Sequence, residues 1–122
     1  MAVDVGASSG NVAYPLLSMG HEVHLFERGI DEEGGQKFLI EMTLEVNGWL
    51  DRAILHGDAV REGEGSLDAA FKDYERVDLL KIDVDDTYEY DEVFAGSLET
   101  LKKTTCIEVP SPPSPPLPPP NL

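Results

Sequence analysis

The sequence has a single cysteine, Cys106, so the chain can form no internal disulfide. Cys106 lies in the apolar run Thr105–Val109, and we expect it to pack in the core rather than to act as a nucleophile. No run approaches the ~20 apolar residues of a membrane-spanning helix. The first residues also lack the basic-then-apolar pattern of a signal peptide. These absences favour a soluble protein of the cytoplasm with no membrane partner.

Basic residues are also scarce. The 9 lysines and arginines face 24 aspartates and glutamates, which gives a net charge of −15. Such a surface repels nucleic-acid backbones and anionic lipid. We therefore expect no nucleic-acid partner, whereas a cationic ligand would be attracted.

Proline is nearly absent from most of the chain and concentrated at its end. Eight of the nine prolines follow Val109, so we divide the 122 residues into an α/β domain, 1–109, and a proline-rich disordered tail, 110–122. The segment 111–120 is typical of an extended polyproline II helix. It would act as a spacer or dock into the aromatic groove of a partner that binds proline motifs.

Apolar runs typical of strands alternate with helical patterns along the domain, which predicts a Rossmann-like parallel sheet of five strands in the order 3-2-1-4-5. The fifth strand would be an edge with an exposed apolar side, and we expect self-association through it. The predicted strands are Val3–Val5, His21–Glu27, Ala53–His56, Val77–Val84 and Thr105–Val109.

Two of the helical patterns predict helices with one apolar face. In each, apolar residues recur at intervals of three and four, which places them on one face of a helix. The first set is Val12, Leu16 and Met19. The second, in the helix 36–46, is Phe38, Leu39, Met42 and Val46.

A glycine loop connects the first strand to the first helix. Gly6 can adopt a positive φ, and Gly10 allows close approach of the backbone to a ligand. Ser8, Ser9 and Asn11 are good N-cap residues, and the free N–H groups of a helix start can bind an anion. A strand, a glycine loop and a helix in this order are typical of a nucleotide-like cofactor site. A tight turn that only packs the helix on the sheet is the alternative.

Acidic residues stand near the carboxyl ends of all five predicted strands, where ligands bind in such sheets. A carboxylate after the second strand, Glu27, can accept two hydrogen bonds from a ribose diol, so we predict that it binds a ribose. The five residues are Asp4, Glu27, Asp58, Asp83 and Glu108. No metal site is predicted, since their spacing follows no known metal-binding loop.

Two cofactors, NAD(P) and S-adenosylmethionine, are candidates for this glycine loop. It resembles the Gly-Ala-Ser-Ser-Gly stretch of short-chain dehydrogenases, which bind NAD(P). However, Val12 occupies the position of that family's third glycine, and no Tyr-x-x-x-Lys motif is present. An acidic Asp4 beside the loop is unsuited to a pyrophosphate. It suits S-adenosylmethionine, which carries an ammonium, a sulfonium and a ribose diol.

Four stretches of the sequence match the pattern of a known family. They are Val3-Asp4-Val5-Gly6-Ala7 with Gly10-Asn11, His24-Leu25-Phe26-Glu27, Asn47-Gly48 and Val77-Asp78-Leu79-Leu80-Lys81-Ile82-Asp83-Val84. Together they resemble the FkbM family of class I S-adenosylmethionine-dependent methyltransferases. The resemblance covers about residues 3–109. It departs from the family's pattern at Asp85-Asp86, where the family has Glu-Gly. The family closes its sheet with a C-terminal hairpin of two further strands. Here the proline tail follows the fifth strand, so the resemblance implies a truncated domain.

The resemblance implies roles for individual residues. Glu27 would hold the ribose, Asp58 with Ala59 would lie along the adenine, and Asp83 would face the methyl-transfer cleft as the catalytic base. The loop residues would hold the methionine end of the cofactor: Asp4, Gly6, Ala7, Ser8, Gly10 and Asn11. The reaction expected is O-methyl transfer to a hydroxyl or carboxyl group of a sugar or other small-molecule acceptor. An inactive or binding-only remnant and a short-chain dehydrogenase fragment are the alternatives.

Overall fold

The structure is a computed structural model and describes residues 1–7, 12–30, 32–110 and 117–121. In the described residues, one helix lies in each of the first three connections between strands, and two helices lie in the fourth. The strands are β1 Ala2–Val5, β2 Val23–Phe26, β3 Ala53–His56, β4 Val77–Ile82 and β5 Thr104–Glu108. The helices are α1 Ala13–Ser18, α2 Lys37–Asn47, α3 Leu67–Ala70, α4 Thr87–Ala95 and α5 Leu98–Lys102. None of the helices in this described part is long and apolar enough to cross a membrane.

The five strands form one sheet in the order β3-β2-β1-β4-β5, and all pairs are parallel. The α/β fold and the strand order predicted from the sequence are therefore confirmed. The strand order reverses direction between β1 and β4. A crevice for a ligand commonly opens at such a reversal, at the carboxyl ends of the strands.

Apolar side chains pack on both faces of the sheet. On one face, Val3 and Val5 of β1 pack with Leu67 and Phe71 of the α3 region and with Val93 of α4. The opposite face carries a second cluster against α1 and α2, which comprises Ala2, Ala7, Ala13, Leu17, Val23, Leu25, Ile30, Ile40 and Leu44. Burial on both faces explains why β1, β2 and β4 are so rich in apolar residues.

The apolar face predicted for α2 is not the one that packs on the sheet, and the face predicted for α1 packs there only in part. In α1 the buried residues are Ala13 and Leu17, Leu16 packs against the same cluster partly buried, and Met19 is 68% exposed. In α2 the buried residues are Ile40 and Leu44. In each helix the two buried residues lie one turn apart. The spacing of apolar residues along α2 could not show whether Ile40 and Leu44 or the larger set beginning at Phe38 faces the sheet.

Two predictions at the end of the domain have different outcomes. Within the described residues β5 pairs only with β4, so it is an edge strand as expected. Cys106, in contrast, is exposed, and the expectation that it packs in the core is wrong. Ile107 is 47% exposed, since the edge strand is poorly covered. The tail segment 111–116 lies outside the described residues, and Leu117 beyond it is 91% exposed.

A chain of hydrogen bonds joins two histidines beside the core. Nδ1 of His24 lies 2.9 Å from Nε2 of His56, and Nε2 of His24 lies 2.8 Å from Oε1 of Glu22. The hydroxyl of Tyr74 donates to the same Glu22 oxygen at 3.0 Å. The ring of His56 also stacks on that of Phe26. Burial lowers the pKa of His24, and burial together with the neighbouring His24 lowers the pKa of His56 to about 4.

This network predicts a loss of stability in acid. A histidine whose pKa is depressed in the folded state stabilises the fold above its unfolded pKa of 6.5, and that contribution is lost as the pH falls toward 4. Between pH 7.5 and pH 5, His56 should account for a loss of about 2 kcal/mol in the free energy of unfolding. We therefore expect His56→Gln to lose about 2 kcal/mol less than the wild-type chain over this range, measured by urea denaturation.

His21→Gln is the matched control, because His21 is exposed. It should keep the wild-type acid dependence. If the free energy of unfolding falls equally between pH 7.5 and pH 5 in His56→Gln and in the wild type, the loss does not come from His56.

Candidate functional site

A cavity of about 370 Å³ opens at the carboxyl ends of β1, β2, β3 and β4, beside the reversal of strand order. Its volume lies within the range of small-molecule sites. Its lining comes from the loops that follow these strands and from one face of α4. The lining residues are Val5, Gly6, Phe26, Glu27, Arg28, Asp58, Ala59, Val60, Asp83, Val84, Asp85, Tyr88, Glu89, Glu92 and Val93.

Gly6 brings the end of β1 unusually close to the end of β4. Its φ is +81°, and a Cβ added there would lie 1.9 Å from the carbonyl oxygen of Asp83. The N–H of Gly6 donates to the carbonyl of Phe26 at 2.8 Å, and the N–H of Asp83 donates to that of Val5 at 3.0 Å. Only glycine fits here, since any side chain would force the two strand ends apart.

The described lining is strongly acidic, with six carboxylate side chains and one basic group, Arg28. Three of these carboxylates, Asp85, Glu89 and Glu92, were not among the site residues predicted from the sequence. Asp86 fixes the start of α4 by accepting a hydrogen bond from the N–H of Glu89 at 2.8 Å. The signal for Glu89 and Glu92 was their three-residue spacing, which puts both on one face of α4, whereas Asp85 lies in the loop before that helix.

Arg28 reaches across the mouth of this cavity. Its guanidinium pairs with Glu89, and its Nε lies 3.9 Å from Oδ2 of Asp58. Burial raises the pKa of the Asp58 carboxyl, while Arg28 acts in the opposite direction. One cation therefore neutralises only part of the charge, and the remaining carboxylates leave the cavity attractive to a positively charged ligand.

Asp4 and Lys81 form a buried ion pair beside Gly6. Asp4 is 1% exposed, and Nζ of Lys81 lies 3.2 Å from its Oδ1. Nζ also lies 3.8 Å from Oδ2 of Asp83 and donates to the carbonyl of Gly6 at 3.4 Å. The contact to Asp4 is electrostatic rather than a well-aligned hydrogen bond, so neither carboxylate oxygen of Asp4 is hydrogen-bonded within the described part of the chain. Burial raises the pKa of Asp4, and Lys81 limits the rise.

The structure brings five of the ten predicted site residues together. Gly6, Glu27, Asp58, Ala59 and Asp83 all line the cavity. Two others do not line it, since Asp4 lies in the ion pair just described and Ala7 is buried in the apolar cluster against α1. The predictions for Ser8, Gly10 and Asn11 fall outside the described residues.

The fold and the cavity define an α/β protein with a five-stranded parallel sheet, Rossmann-like in strand order, and an acidic cleft at the reversal of that order. No protein-family model, curated protein or solved structure matches the chain.

Proposed function

We propose that the chain binds S-adenosylmethionine in this cleft and belongs to the methyltransferases that transfer a methyl group to an oxygen of a sugar or other small molecule. The observation that carries the proposal is the excess of carboxylates around a cavity at the carboxyl ends of β1 to β4. A cofactor with two positive groups and a ribose diol suits that charge. A dinucleotide, with its anionic pyrophosphate, is disfavoured by the same carboxylates.

The residues present fit this cofactor. Gly6 lines the cavity at the end of β1, where the loop that would hold the methionine end begins. Glu27 lines the cavity at the end of β2, where a carboxylate can accept hydrogen bonds from a ribose diol. Asp58 and Ala59, after β3, form a polar and an apolar wall suited to an adenine.

When bound, S-adenosylmethionine supplies a methyl group already activated by the sulfonium, so the protein contributes mainly alignment. Asp83 lines the cleft beside Gly6, and its side chain is 55% exposed. In this proposal Asp83 accepts the proton of an acceptor hydroxyl.

Titration calorimetry tests the proposal directly. We expect S-adenosylmethionine to bind more tightly than S-adenosylhomocysteine, which lacks the sulfonium charge, and NAD(H) not to bind. Binding of NAD(H) alone would favour the dehydrogenase alternative. Binding of S-adenosylmethionine without turnover on any hydroxylated or carboxylated acceptor would favour the binding-only remnant.

Replacing the ribose-binding candidate gives a more specific prediction. Glu27→Ala should weaken S-adenosylmethionine binding by about 1.5–3 kcal/mol, the scale of hydrogen bonds to a charged group. Glu75→Ala removes the same charge from an exposed position outside the cavity and should leave affinity nearly unchanged. If both variants fold by circular dichroism and bind equally well, Glu27 does not hold the cofactor.

A further inference from the structure

The outward face of α2 carries a stripe of large apolar side chains. Phe38 is 70% exposed, Leu39 58%, Met42 43% and Val46 79%. At 100° per residue these four positions fall within one third of the helix circumference. The buried residues Ile40 and Leu44 lie on the other side of the helix, so the stripe points away from the sheet.

Such a stripe is unusual at the surface of a small domain. Single exposed apolar residues are common, but a contiguous patch of large ones marks an interaction site. Apolar residues spaced at i, i+4 and i+8 match the pattern by which one helix packs along another. The geometry of the stripe is therefore that of a helix-binding surface.

The charges beside the stripe identify the kind of helix. Glu41 and Glu45, one turn apart, lie along one side of it and are exposed. The loop before α2 adds Glu32 and Glu33, both exposed. A second copy of the chain would bring the same acidic residues and another net charge of −15 to the contact, which disfavours a homodimer.

We propose that the outer face of α2 binds an amphipathic helix of a partner protein that presents an apolar stripe flanked by lysine or arginine. The apolar side chains would pack against Phe38, Met42 and Val46. The basic residues would lie beside Glu41 and Glu45. This surface lies on α2, whereas the cavity is lined by loops and α4, so the interaction does not depend on the proposed methyltransferase activity.

A pair of designed peptides tests this surface with the full chain. The first is an 18-residue helix with leucine at one face and lysine elsewhere, and the second has glutamate in place of each lysine. Fluorescence anisotropy should show binding of the lysine peptide and none of the glutamate peptide. The double variant Phe38→Ser/Met42→Ser should bind the lysine peptide about tenfold or more weakly, since it removes two central apolar anchors.

The matched control is Ile107→Ser/Val109→Ser, which removes exposed apolar residues at the other end of the sheet with no change in charge. It should bind like the wild type. Equal affinity of the two double variants would overturn the proposal, because binding would then depend on net charge alone. A dimer in light scattering that Phe38→Ser/Met42→Ser dissociates would also overturn it, in favour of a second copy.

Discussion

Lys81→Met should destabilise the fold by about 3–5 kcal/mol at pH 7, the cost of leaving one partner of a buried ion pair without the other. Asp4 is 1% exposed, and Lys81 supplies its nearby positive charge at 3.2 Å. A loss of this size is a large part of the stability of a small domain. Urea denaturation followed by circular dichroism measures it.

The pH dependence of this loss has a definite sign. Burial already raises the pKa of Asp4, and removal of Lys81 should raise it further. An acid whose folded pKa is raised stabilises the fold at low pH, and that contribution is lost as the pH increases above its unfolded pKa. The deficit of Lys81→Met should therefore shrink as the pH is lowered from 7 toward 5.

The double variant Asp4→Leu/Lys81→Met is the control, because replacing both partners of a buried pair by apolar residues is often neutral or stabilising. It should recover most of the stability that Lys81→Met loses. A double variant as unstable as the single one would show that Lys81 stabilises the fold through contacts other than Asp4.

Gly6→Ala should destabilise the fold by about 2–5 kcal/mol and close the proposed cofactor cleft. About 1–2 kcal/mol comes from a non-glycine residue at positive φ, and about 1–3 kcal/mol from overpacking. The overpacking arises because the new Cβ would lie 1.9 Å from the carbonyl oxygen of Asp83, which is backbone and cannot rotate away. Denaturation gives the stability, and calorimetry with S-adenosylmethionine gives the affinity.

Gly48→Ala separates the cost of a positive φ from the cost of overpacking. Gly48 ends α2 at φ +71°, and an added Cβ would meet nothing within 4 Å. It should cost only the conformational part, about 1–2 kcal/mol, and leave cofactor affinity unchanged. If the two alanine variants are equally stable, the close approach of Gly6 to Asp83 does not constrain the fold.

The position of Gly6 and the acidic strand ends could be predicted from the sequence because they depend on local order along the chain. Gly6 follows an apolar run at once, and Glu27 and Asp83 each end one. In a parallel sheet these ends must meet at one edge, so the cavity was predictable in outline. Glu89 and Glu92 were missed, since they enter the site only through the packing of α4 over the strand ends, and Asp85 lies in the loop that leads into that helix.

The sequence by itself determined the alternation of strands and helices, the parallel sheet and its order, because these follow from periodicity and from the short connections between elements. Tertiary structure alone decided which side of each helix is buried. In α2 the larger apolar residues Phe38 and Met42 face outward, while Ile40 and Leu44 face the sheet. The helical period sets the angle between residues around the helix axis, but the position of the sheet decides which side of the helix is buried.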